Sequence, residues 1–166
     1  MPPLAGEAEP ASTLWYRIDE RDDAIEVALG GDLDEHADFA ELRARLRGRV
    51  VLVLAEVRRI NSCGVREWVN FLRELPPAVS SVELVACSPA VVNQLSTISN
   101  FRGGASVRSL LAPYVCERCD VEETRLVELA PRAADTVVPA FDCSRCGAAL
   151  VFDDLPERYL SFLREL

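Results

Sequence analysis

An α/β layer followed by a smaller, cysteine-bearing β unit is the fold this sequence predicts, and three observations point to it. From residue 13 to residue 112 the apolar residues switch repeatedly between alternation and helical spacing. Val50-Val51-Leu52-Val53-Leu54 is an unbroken apolar run, which reads as a strand covered on both faces and running parallel to its neighbours. Beyond Pro113, four of the six cysteines fall into two Cys-x-x-Cys pairs set among short apolar stretches.

Residues 1–12, MPPLAGEAEPAS, lack apolar periodicity and read as a flexible tail. Leu14, Tyr16 and Ile18, then Ile25, Val27 and Leu29, alternate around an acidic turn, so strands are expected over 14–18 and 24–29. Gly30-Gly31 reads as a loop. Asp38 is the expected cap of a helix over 39–47 with Phe39, Leu42 and Leu46 on one face, and Gly48 should end it. After the 50–54 strand and a loop at 58–64, Val65, Trp68, Val69 and Leu72 recur at helical spacing until Pro76-Pro77. A strand is expected over 81–86. Ser88 then caps a helix with Pro89 in its first turn and Val91, Val92, Leu95 and Ile98 buried, and a last strand spans 107–111. This order builds helices on a mostly parallel sheet. Pro113 is the expected boundary, so 113–166 forms a second unit. Its strands are expected over 124–129, 136–141 and 148–152, with a turn containing Pro131, and a terminal helix opens at Asp154 and Pro156.

Charge restricts the partners. The formal net charge is −9, and every one of the 18 basic residues is arginine. An acidic chain repels a phosphate backbone, so nucleic acid is disfavoured as a partner. The longest apolar run is far shorter than the ~20 residues of a membrane helix. No basic start followed by an apolar stretch marks a secretory signal, and a soluble cytoplasmic protein is the expectation.

In such a compartment paired cysteines indicate metal or redox chemistry more often than disulfides. Cys116, Cys119, Cys143 and Cys146 form the sequences CERC and CSRC, with 23 residues between the pairs, and resemble a zinc ribbon. A tight turn across x-x lets two sulfurs reach one tetrahedral ion, and the intervening chain brings the second turn opposite the first. Gly147 suits the second turn. Four thiolates close the coordination sphere, so the zinc should be structural; a redox dithiol or an iron site is the alternative. Cys63 and Cys87 stand alone and read as packed residues.

Gly31-Asp32-Leu33-Asp34 ahead of the first helix, the strand 50–54, and the turn Ile60-Asn61-Ser62-Cys63-Gly64-Val65 resemble a STAS domain, the fold of anti-sigma factor antagonists, over residues 13–112. The resemblance implies a mixed sheet with helices on one face and a partner switch. In that family the turn is Asp-Ser-Ser-Gly, and its first Ser is phosphorylated by a kinase that is also the sequestering anti-sigma factor. That position is Ser62 here. Asn61 replaces the Asp and Cys63 the second Ser. The implied partner-binding residues are Asn61, Ser62, Cys63, Gly64 and Arg66.

Catalysis finds little support: His36 is the only histidine, no phosphate-binding glycine loop is present, and Asp32, Asp34 and Glu35 read as a solvated helix entry. Two non-catalytic readings follow. One is a switch controlled by phosphorylation of Ser62 that binds an anti-sigma factor or serine kinase. The other is an unregulated adaptor or assembly subunit in which Ser62 only caps a helix and the ribbon is a second docking surface. A metal-linked redox sensor is a third.

Overall fold

The computed structural model describes residues 13–130 and 132–166, so the tail expected over 1–12 and Pro131 of the expected turn lie outside the described residues. The chain forms a mixed α/β structure. Its first sheet takes the order β1 (Trp15–Glu20), β2 (Ile25–Leu33), β3 (Gly48–Ile60), β4 (Val79–Val85), β5 (Ser106–Val107), with β1 antiparallel to β2 and the other pairs parallel. Helices α1 (Ala40–Arg45), α2 (Ser62–Arg73) and α3 (Pro89–Thr97) connect these strands. A second, antiparallel sheet contains β6 (Ser109–Cys116) between β7 (Val121–Glu128) and β8 (Val151–Phe152), and α4 (Pro156–Tyr159) with a 3₁₀ turn (Ser161–Glu165) follows.

Along β3, Val50, Leu52 and Leu54 are buried while Val51, Val53 and Ala55 are half-buried. The strand is parallel as expected, but only one of its faces is fully covered. On that face α2 inserts Trp68 and Phe71. Phe39 stacks on Phe71 at 4.6 Å between ring centroids, and the Trp68 indole N–H donates to the Phe101 carbonyl at 2.8 Å. The single donor of this deeply buried indole is thus satisfied, and the hydrogen bond offsets the cost of taking it out of water.

Several boundaries differ from the sequence reading. Gly30 and Gly31 lie inside β2 rather than in a loop. A Cβ on Gly30 would fall 2.3 Å from the Trp15 ring, and Gly31 has φ +91 with the Thr13 carbonyl against it, so a period-2 reading stops at two residues whose job is close approach. Two bulges in the β2–β3 register accompany them. Strand β3 runs on to Ile60 and α2 starts at Ser62, so of the expected loop over 58–64 only Asn61 lies outside a strand or helix. Asp38 accepts from the Ala40 N–H at 2.8 Å, yet the helix begins at Ala40 and Phe39 holds the cap position. Ser88 does cap α3, accepting from the Val91 N–H, with Pro89 in the first turn.

The largest difference lies at the expected boundary. The strand expected over 107–111 breaks at Arg108, and its second part is β6, which runs straight through Pro113. Pro113 sits opposite the residue after β8, where its carbonyl accepts from the Asp153 N–H at 2.9 Å and its missing N–H ends the ladder. The first residues of β6 still belong to the parallel layer. Leu110 bridges Cys87, the Leu111 N–H donates to the Cys87 carbonyl at 2.8 Å, and the Cys87 N–H donates to the Ser109 carbonyl at 3.1 Å. One strand therefore serves both sheets.

Residues 136–141 form no strand, and Pro139, which has no N–H to give a ladder, interrupts the segment. The Tyr114 hydroxyl instead donates to the Pro139 carbonyl at 2.6 Å. The terminal helix is broken after Tyr159, and Tyr159, Phe162 and Leu163 are buried. The Tyr159 hydroxyl donates to the Leu111 carbonyl at 2.6 Å, and Ser96 of α3 donates to the Tyr159 carbonyl at 3.0 Å. Burial pushes the Tyr159 phenol well above its ordinary pKa.

Because Leu110 is fully buried where the two sheets join, Leu110→Ala should cost about 2–5 kcal/mol. A urea titration followed by Trp68 fluorescence and by the amide resonances of β7 should show one common, lowered midpoint, and two separate midpoints would mean that the sheets unfold independently.

Candidate metal centre and the Ser62 turn

Cys116 ends β6 and Cys119 lies in the turn to β7, so the first knuckle is the hairpin turn of the second sheet. Cys143 and Cys146 lie in a second turn, closed where Asp142 bridges Ala149 and the Cys143 N–H donates to the Ala148 carbonyl at 2.7 Å. The two turns are built alike. In the first, the Asp120 N–H donates to the Cys116 carbonyl at 2.8 Å; in the second, the Gly147 N–H donates to the Cys143 carbonyl at 2.9 Å. Asp120 has φ +54 and Gly147 φ +71, so each knuckle closes on a left-handed residue directly after its second cysteine. The sequence displays this requirement at Gly147 and hides it at Asp120, one of the few residue types that tolerate such a conformation.

The four sulfur atoms lie within 4.8 Å of one another, with Cys116–Cys146 at 3.5 Å and Cys119–Cys143 at 3.6 Å. Tetrahedral coordination with metal–sulfur bonds of ~2.3 Å places ligand sulfurs roughly 3.8 Å apart, so the donor set fits one metal ion. Protonation chemistry agrees. The Cys119 backbone N–H pulls the Cys116 thiol down to about 7, while burial and the neighbouring sulfurs push Cys119 up to about 12. Four sulfurs this close can all ionise only with a cation among them.

The sequence reading missed what holds the second knuckle. Glu123 on β7 accepts from the Ser144 N–H at 3.0 Å and from its hydroxyl at 2.8 Å, and Arg125 pairs with the other carboxylate oxygen at 2.5 Å. The Ser144 hydroxyl above all holds the Glu123 carboxyl below its ordinary range. Arg125 also donates to the Asp142 carbonyl at 3.0 Å and lies over the Phe141 ring. This network spans two segments with no fixed sequence spacing, so no local pattern announces it. Cys87 is fully buried and its thiol is pushed up to about 12 by that burial, in keeping with a packed residue.

The two segments quoted for the STAS resemblance meet in space. The Asn61 N–H donates to the Leu33 carbonyl at 3.0 Å, and a Cβ on Gly64 would fall 1.9 Å from that same oxygen. Glycine there lets the start of α2 rest on the end of β2. Asn61 caps the helix: its side-chain oxygen accepts from the Gly64 N–H at 2.8 Å and its amide donates to Glu35 at 2.9 Å. The Glu35 backbone N–H and the Asn61 amide hold the Glu35 carboxyl below its ordinary range. Asp34 closes its own turn by accepting from the His36 N–H, and Asp32 faces Arg58 and Arg59 at 3.6 and 3.3 Å. The acidic residues expected to be a solvated helix entry thus brace this turn. Ser62 is the first residue of α2, exposed, with the capping done by its neighbour; Asn61 and Arg66 are exposed too, Arg66 pairing with Glu67. Cys63 is half-buried and Gly64 buried. No protein-family model matches the chain, and no curated protein does.

Gly147→Val should destabilise the second knuckle by about 1–2 kcal/mol, read as a lowered unfolding midpoint, because a β-branched residue resists positive φ. Glu123→Ala should weaken binding of a cobalt(II) probe by about 10–100-fold through loss of the Ser144 contacts, followed by the thiolate–cobalt absorption band. Metal displaces protons from the thiols, so probe affinity should fall as the pH drops, and more steeply below the Cys116 value of about 7, where Cys116 too is protonated in the metal-free protein.

Proposed function

We propose that this protein is a non-catalytic protein-interaction module of the STAS type, a partner switch controlled by phosphorylation of Ser62 and braced by a structural zinc ion on Cys116, Cys119, Cys143 and Cys146. The observation that carries this reading is the division of labour at the start of α2. Asn61 supplies the cap and Gly64 the close approach, which leaves the exposed Ser62 hydroxyl without a structural duty. A helix N-terminus favours negative charge, so a phosphate on the first residue of α2 is compatible with the fold. That phosphate adds roughly −1.5 to −2 charge beside the Glu35 carboxylate and makes the docking face strongly anionic.

The partner is a protein, an anti-sigma factor or serine kinase, that meets Asn61, Ser62, Cys63 and Arg66. The net charge of −9 argues against nucleic acid. Among the described residues no helix is long and apolar enough to cross a membrane, and we place the protein in the cytoplasm. Zinc is the metal because four clustered thiolates at tetrahedral spacing suit a soft, redox-inert dication.

Affinity capture from the native cytosol, with phosphosite mapping of the recovered chain, identifies the partner. Binding of that partner should then weaken at least tenfold, about 1.4 kcal/mol, in Ser62→Glu and stay unchanged in Ser62→Ala. Equal binding by both variants would leave the unregulated adaptor. Elemental analysis of purified protein should give about one zinc per chain.

A further inference from the structure

A cavity of about 780 Å³ lies away from both the metal centre and the Ser62 turn. It opens where the first sheet, the second sheet and the C-terminal segment meet, and Arg102, Arg108, Arg132, Val107 and Leu129 line it together with one acidic residue, Glu128. Clefts between separately built parts of a molecule are the usual places for small ligands.

The arginines reach this cavity for backbone reasons. Arg108 is the residue at which the chain leaves one sheet for the other: its N–H donates to the Leu84 carbonyl at 2.8 Å and its carbonyl accepts from the Leu129 N–H at 2.9 Å. Its side chain is thereby rooted at the cavity wall. Arg102 is held at the other end, its guanidinium donating to the Ala105 carbonyl at 3.0 Å and the Glu165 carbonyl at 3.4 Å. Arg49, by contrast, meets both Asp23 and Glu83. Neither Arg108 nor Arg132 has a carboxylate at ion-pair distance among the described residues, and Glu128, on the same wall, pairs with neither. Three guanidinia against one acidic side chain make this cavity locally basic within a chain of net charge −9.

We propose that the cavity binds a small phosphate-bearing molecule, its phosphate taken by Arg102, Arg108 and Arg132 and its apolar body lying on Val107 and Leu129. A single carboxylate needs only one arginine fork, whereas a phosphate dianion offers three oxygens and takes several. A polymer with further phosphates outside the cavity would meet the repulsion of the acidic surface, so the ligand is small.

The test uses 1-naphthyl phosphate and inorganic phosphate as probes on the zinc-loaded full chain, by calorimetry at low ionic strength. Both should bind saturably, the naphthyl ester more tightly, and the double variant Arg108→Gln/Arg132→Gln should weaken naphthyl phosphate at least tenfold with an unchanged circular dichroism spectrum. Arg17→Gln, an exposed arginine on β1, should bind as the parent does. Absence of saturable binding by either probe overturns the proposal, and so does equal affinity of the parent and the double variant.

Discussion

Strand β6 is the constraint on which the rest of the structure depends. Its first residues pair with Cys87 at the end of the parallel layer, and its last residue is Cys116 of the four-cysteine cluster. Between them Leu110, Ala112 and Tyr114 are buried, so the strand is a rigid rod fixed in a core at one end and in a thiolate cluster at the other. The fixed end has its own signature. Ala86, with φ +48, ends β4 in a conformation unusual for alanine, and its N–H is held by the buried Ser109 hydroxyl at 2.8 Å. Ser109 therefore satisfies a backbone donor in the parallel layer while opening the strand that builds the other sheet.

A unit the size of the second sheet has little core of its own. Here it needs less, because Tyr159, Phe162 and Leu163 bury their side chains within the same core as α3. A metal ion on the four cysteines would then be not the sole staple of a detached appendage but a brace at the far end of a shared structure. The Ser62 turn gains from the same rigidity: α2 lies on the parallel layer through Trp68 and Phe71, and its first residue is set by Leu33, Glu35 and Asn61. The proposed docking face thus sits on rigid elements and presents its hydroxyl in one place, as a charge-operated switch needs.

Much of this was legible in the residues. The alternation of strands and helices, the parallel β3, the Ser88 cap with Pro89, and the two cysteine pairs each follow from local pattern and appear as expected. What escaped was long-range. Pro113 looks like a boundary, yet a proline is harmless in a strand where the neighbour stops, and only the position of β8 reveals that. Thr136, Val138 and Phe141 have strand-like residue types, but Pro139 among them lacks the N–H that a ladder needs. Gly30 and Gly31 look like a loop because the rings and carbonyls packed against them come from Trp15 and Thr13. At the metal centre the ligands were visible, while Glu123, Ser144 and Arg125 were not, since a hydrogen-bond network across a sheet has no fixed spacing.

Native-state hydrogen exchange of the metal-loaded and chelated protein tests most directly whether the thiolate cluster braces the parallel layer through β6. On metal removal the account predicts loss of protection at Asp120 and Gly147 together with Ala86, Arg108 and Leu111, whose N–H groups join the two sheets. Loss confined to the two knuckles, with Ala86, Arg108 and Leu111 as protected as before, would contradict it.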